Sequence, residues 1–78
     1  MNNDFSLYDL CVGQKCIISR LDNKGVIRRR LMDVGIVPGS IIECLLSSPS
    51  GNPMLYLVKD SLIALRNEDA SLIRCDMI

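Results

Sequence analysis

Four cysteines, a run of three arginines and a scatter of carboxylates are the residues of this chain that could do chemistry. Cys11, Cys16, Cys44 and Cys75 show no C-x-x-C spacing, and two of them lie in apolar stretches where a free thiol behaves as a small core residue. A Cys16–Cys44 pair could meet across neighbouring strands, but the ordinary outcome for such thiols is packing as hydrophobes. Asp33, Glu43, Asp60, Glu68 and Asp69 offer hard oxygen ligands, yet they form no tight cluster along the sequence. There is no histidine, which removes the commonest acid–base residue and the commonest transition-metal ligand. No glycine-rich phosphate loop and no Ser-His-Asp or Cys-His arrangement occurs. The sequence therefore assigns no catalytic residue, no cofactor and no metal ligand, and it reads as a non-enzyme.

The arginine run, Arg28-Arg29-Arg30, invites a nucleic-acid or phosphate reading. On a helix, consecutive residues point about 100° apart, so the three guanidinium groups fan out instead of forming one basic face. Nine Lys and Arg balance nine Asp and Glu, and this zero formal charge removes the long-range attraction that nucleic acid requires. Two readings of the run remain. The arginine stems cover the edge of the fold as a solvated helix face, or the run meets an acidic protein surface.

These residues must be positioned by a small scaffold. The 78 residues allow a single domain, 1–78, that buries roughly 60% of its unfolded surface. Hydrophobic residues make up 49% of the chain, which is enough for a core. No apolar run approaches the roughly 18 residues needed to span a bilayer, and Met-Asn-Asn-Asp-Phe is not a signal peptide. The chain is thus expected in the cytoplasm, without membrane insertion.

Residues 25–40 read as a short helix, a glycine stop and a proline-glycine turn. Ile27, Leu31 and Val34 fall at i, i+4 and i+7 and predict a core-facing stripe. Gly35 suits a left-handed helix end, and Pro38-Gly39 a tight turn. Before this stretch, Ser6 with Asp9 predicts a capped helical turn, residues 15–21 a first strand, and Asp22 or Asn23 an N-cap for the helix. After it come strands at 41–46 and 54–58, separated by a Pro/Gly-rich loop. A hairpin at Lys59-Asp60-Ser61 leads into 62–66, then a helical turn at 67–70 and a last strand at 72–75. On the second strand Ile42, Cys44 and Leu46 are expected on one face. About five short antiparallel strands with one inserted helix predict a mostly β, small SH3-like barrel, its open end covered by that helix.

Several of these residues resemble the FeoA family, the small proteins of bacterial ferrous iron transport, and the related SH3-like domain of metal-dependent repressors. The likeness runs through Leu7-Tyr8-Asp9-Leu10 and Gly13-Gln14-Lys15 and is strongest from Ile27 to Gly39, where R-R-L-M-D-V-G-I-V-P-G follows the family pattern. It continues through Asn52-Pro53 and residues 63–70. The resemblance implies an SH3-like barrel working beside FeoB, the membrane iron permease with a cytoplasmic GTPase domain. Two other roles stay open: a metal-responsive regulatory module like the repressor domain, and a modulator of FeoB GTP hydrolysis with an arginine supplied in trans. The chain departs from the family at Asp60, where a glycine is usual, and at Leu55 and Leu57, where polar residues are usual. Either these leucines, with Leu62, complete the core through a one-residue register slip, or they form an apolar patch for self-association or a partner. The expected partner-binding surface is therefore Arg28, Arg29, Arg30, Met32 and Asp33 on the helix, with Leu55 and Leu57 on the neighbouring strand.

Overall fold

The computed structural model describes residues 5–78; the sequence reading of the N-terminus falls largely on residues 1–4, outside that range. Ser6 opens a single 3-10 turn, Leu7–Asp9. The Asp9 carboxylate accepts hydrogen bonds from the Ser6 backbone N–H (3.0 Å) and hydroxyl (3.2 Å), which ties the turn as its sequence suggests. The chain then forms β1 (Lys15–Leu21), α1 (Gly25–Asp33), β2 (Ile41–Ser47), β3 (Met54–Val58), β4 (Ser61–Leu65), α2 (Asn67–Ala70) and β5 (Ile73–Met77). All ladders are antiparallel, in one sheet of order β4-β3-β2-β1-β5.

Alternation along the strands builds the core, as the pleat requires. Cys16 and Ile18 of β1, Ile42 and Cys44 of β2, Tyr56 and Val58 of β3, Leu65 of β4, and Ile73 and Cys75 of β5 are all buried in one cluster. Leu7, Leu31 and Ile36 join it from outside the sheet. The Tyr56 hydroxyl, fully buried, donates to the Leu7 carbonyl at 3.3 Å, so the ring brings its polar end to a partner.

Two register shifts break the simple alternation. One lies between Ile18 and Arg20 and returns Leu21 to the core side. The other lies between Cys44 and Leu46 and corrects the expected face of β2: Leu46 is 58% exposed, while Ile42 and Cys44 are buried. An extra residue in one strand turns every later side chain to the other face.

The helix end is a complete Schellman motif. Gly35 N–H donates to Met32 O (3.0 Å) and Ile36 N–H to Leu31 O (3.0 Å), with Gly35 at φ 105°. Because the helix stops at Asp33, the 3.6-residue period no longer applies at Val34. That corrects the expected stripe: Leu31 is buried, Ile27 is half-buried, and Val34 is 44% exposed, its core place taken by Ile36. The Ser40 hydroxyl fastens the following turn, accepting from Val37 N–H (3.1 Å) and facing Gly35 O at 2.6 Å.

The N-cap expectation is also corrected. Lys24 takes that position without a side-chain cap bond. Asp22 instead pairs with Arg20 (2.9 Å) and Arg74 (3.4 Å), and the buried Asn23 side chain donates to Asp69 O at 3.1 Å. Tertiary partners have claimed both candidate caps. The Pro/Gly-rich loop is tied to α2 in the same way: Asn67 Nδ2 donates to Gly51 O (3.0 Å) and Asn67 N–H to Asn52 Oδ1 (3.0 Å).

Candidate interaction surface

Folding leaves the arginine run on the surface. Arg28, Arg29, Arg30 and Asp33 are exposed and Met32 is half-buried, packed against the core. Arg28 reaches forward one turn and donates to the Met32 sulfur at 3.4 Å, the i,i+4 neighbour relation of a helix. Among the described residues, none of the three guanidinium groups makes an ion pair with a carboxylate. They fan as consecutive helical positions must, and Arg30 borders a groove.

Leu55 and Leu57 point away from the core. Their neighbours Tyr56 and Val58 are buried, so period two puts both leucines on the outer face of β3, where they are half-buried. This decides against the register slip. Across the ladder Leu57 lies opposite Glu43 on one side and Leu62 on the other, and Leu62 is 64% exposed. Ile17 and Ile41, paired across β1 and β2, continue an apolar strip over this face.

The helix residues and the outer-face leucines do not line one cavity. A groove of about 270 Å³ runs between α1 and β4, bordered by Ile27, Arg30, Leu31 and Val34 from the helix and by Ile63, Ala64, Leu65 and Arg66 from the strand side. Leu57 lines a separate shallow depression of about 210 Å³ with Lys15, Ile41, Glu43 and Lys59. The groove along β4 is absent from the sequence expectations. Ile63, Ala64 and Arg66 carry no signal of it, because a strand becomes an edge only through the order of the sheet.

The thiols sort by burial. Cys11 is exposed, and Cys16, Cys44 and Cys75 are buried beside Tyr56. Cys16 lies beside Cys75, since β1 pairs with β5 as well as β2, and all three buried thiols pack in the core as hydrophobes. The hydrogen bond with Cys75, followed by burial, pushes the Cys16 thiol up, and the same bond draws Cys75 down. Burial, with the nearby Cys11 and Glu43, also pushes Cys44 up. Cys16 and Cys44 are therefore protonated core thiols, without the thiolate character that nucleophiles require. Among the described residues, no three Cys, Asp or Glu side chains converge closely enough to hold a metal ion. Nor, among them, is any helix long and apolar enough to cross a membrane.

A five-stranded antiparallel sheet with a helix inserted between β1 and β2 belongs to the small prokaryotic SH3-like class. The structure of Stenotrophomonas maltophilia FeoA complexed with zinc, described as a procaryotic SH3 domain protein, matches it at TM-score 0.83 and 25% identity, covering 92% of this chain and 89% of that one. Residues 5–77 match the FeoA domain, and the chain belongs to the FeoA family. It is 33% identical over 72 residues to an Fe(2+) transport protein A/Fe(2+) transporter FeoB fusion protein of Porphyromonas gingivalis, covering 92% of this chain but only 8% of that protein. The solution structure of iron(II) transport protein A from Clostridium thermocellum superposes at TM-score 0.89 with 31% identity, over 95% of this chain and 46% of that one. Manganese-dependent repressors share the fold at TM-score 0.82 and 16% identity, which shows the fold alone.

Proposed function

We propose that this chain is a non-catalytic accessory protein of ferrous iron uptake that acts by binding the cytoplasmic part of a FeoB-like permease. One observation carries the reading: in the Porphyromonas gingivalis relative, a domain like this one is joined to a FeoB transporter in one polypeptide. Fusion holds two domains at high effective concentration, which is useful where they must touch. The contact surface comprises Arg28, Arg29, Arg30, Met32 and Asp33 on α1 together with Leu55 and Leu57 on β3. Exposed guanidinium groups without carboxylate partners among the described residues set orientation and on-rate, and half-covered leucines supply the apolar anchors. For the Stenotrophomonas relative, the role of a ferrous iron transport activating factor has been suggested, and activation through FeoB extends that role to this chain.

Capture of the FeoB cytoplasmic domain from solution by the immobilised chain tests the reading. Binding is expected, and Leu55→Asp combined with Arg29→Glu should abolish it; undiminished capture by that variant would discard the surface. Arginines that make no ion pair among the described residues also favour a second role, raising GTP hydrolysis by an arginine supplied in trans. That requires FeoB turnover to rise on adding the chain and to fall back with Arg29→Ala or Arg30→Ala.

A further inference from the structure

The hydrogen-bonded order of the sheet ends at β4, and among the described residues Ser61–Leu65 make no backbone hydrogen bond outside the β3 ladder. Val58 and Ser61 close a two-residue hairpin, so bonded pairs alternate from there through Tyr56↔Ile63 and Met54↔Leu65. The N–H and C=O groups of Leu62 and Ala64 therefore point outward along an open edge. Such an edge templates another strand unless it is covered. Beside it lies the groove of about 270 Å³, with Ile27, Leu31 and Val34 on the helix side. Arg30 and Arg66 border the groove against the single carboxylate of Asp69, and neither arginine has an ion-pair partner among the described residues.

We infer that β4 accepts an extended, acidic segment of the partner as a sixth strand, its core-side apolar residues filling the groove between β4 and α1 and its carboxylates meeting Arg30 and Arg66. This inference deepens the proposed partner reading by naming the mode of contact. Main-chain bonds to Leu62 and Ala64 give affinity, and alternate side chains give specificity. A strand there also lies between the two patches that share no cavity: one of its faces meets the groove with Arg30, and the other lies beside Leu62 on the outer leucine face. A second copy of this chain does not fit the groove through its own β4. The core-side residues of that strand, Ile63 and Leu65, are already packed into their own core.

The probe is a fluorescent peptide, acetyl-Glu-Thr-Val-Thr-Leu-Thr-Glu-amide, whose alternation puts Val, Leu and both Glu side chains on the groove face, with a control in which lysines replace both acidic residues. Saturable binding is expected, with amide shifts confined to residues 62–66 and to Ile27, Leu31 and Val34. The lysine control should bind at least tenfold more weakly, and Arg30→Glu with Arg66→Glu should reverse that preference. Ala64→Pro removes one outward N–H while sparing the β3 ladder, so it should keep the melting temperature and lose about tenfold in affinity. Equal binding by Ala64→Pro, shifts on Leu55 and Leu57 alone, no binding, or a concentration-dependent dimer that Ala64→Pro dissolves would each overturn the inference. In the FeoB capture assay, intact capture by Ala64→Pro overturns the strand-addition mode and leaves the partner standing. Absence of capture by the unaltered chain removes the partner and leaves the peptide titration to decide the groove.

Discussion

Leu31→Ala isolates how α1 is held. Leu31 is the one buried residue of α1, and a nine-residue helix does not persist in water without docking. Truncating a buried leucine to alanine costs about 2–5 kcal/mol, depending on how far the site can relax. Here the side chain borders an open groove that water can enter and neighbours can close, which favours the lower half, about 2–3 kcal/mol. A chain of this length has a total of about 4–12 kcal/mol to lose. The variant should therefore still fold, with its urea midpoint lowered by about 2–3 M at a slope near 1 kcal/mol per M. Val34→Ala is the matched control. At 44% exposure outside the core it should change stability by no more than about 0.5 kcal/mol. Urea unfolding followed by circular dichroism measures both. Equal losses at the two positions would restore the simple i, i+4, i+7 stripe and refute the helix end described above.

Three further outcomes follow from the packing. An aromatic disulfide reagent should label one thiol per native chain rapidly, at Cys11, and the other three only on unfolding; two fast thiols would contradict the burial of Cys16, Cys44 and Cys75. Gly35→Ala places a Cβ at φ +105° and 3.4 Å from Val58 Cγ1, so it should cost more than about 1 kcal/mol in thermal or urea unfolding, and a neutral result would deny the strained helix end. Stability should also fall as pH rises. Cys16 and Cys44 have folded pKa values raised above the ordinary 9.0, so the unfolded chain loses those protons first above about pH 9. The slope approaches about 1.4 kcal/mol per pH unit for Cys16, Cys44 acts in the same sense, Cys75 acts in the opposite sense only below about pH 9, and a flat profile between pH 9 and 10.5 would count against it.

Strand placement was legible wherever period-two alternation met a clear turn signal. β1 and β3 lie at residues 15–21 and 54–58 as their apolar patterns indicate, and Gly35 stops the helix as expected. The departures have more than one cause: a neighbour distant in sequence outbid a local rule at the N-caps, while the helix stop turned Val34 out and a register shift turned Leu46 out. Asp22 and Asn23 are good N-caps on their own, but Arg74 and Asp69 are brought within reach only by the fold. Leu45 and Leu46 are both apolar, so no pattern marks the register shift that turns Leu46 outward. Cys16 found Cys75 because β5, last in sequence, lies next to β1.

The same distinction runs through the surface. Arg28, Arg29, Arg30, Leu55 and Leu57 could be picked from the sequence because folding alone does not account for their residue types. The edge of β4 could not, since Ala64 is an ordinary strand residue until the order β4-β3-β2-β1-β5 leaves it outermost. A contact built on side chains would be broken by charge reversal at the helix and by aspartate at the leucines. A contact built on an added strand would survive many side-chain changes and fail at a proline that leaves the core untouched. Ala64→Pro and the Leu55→Asp, Arg29→Glu pair thus separate a contact made by an added strand from one made by side chains.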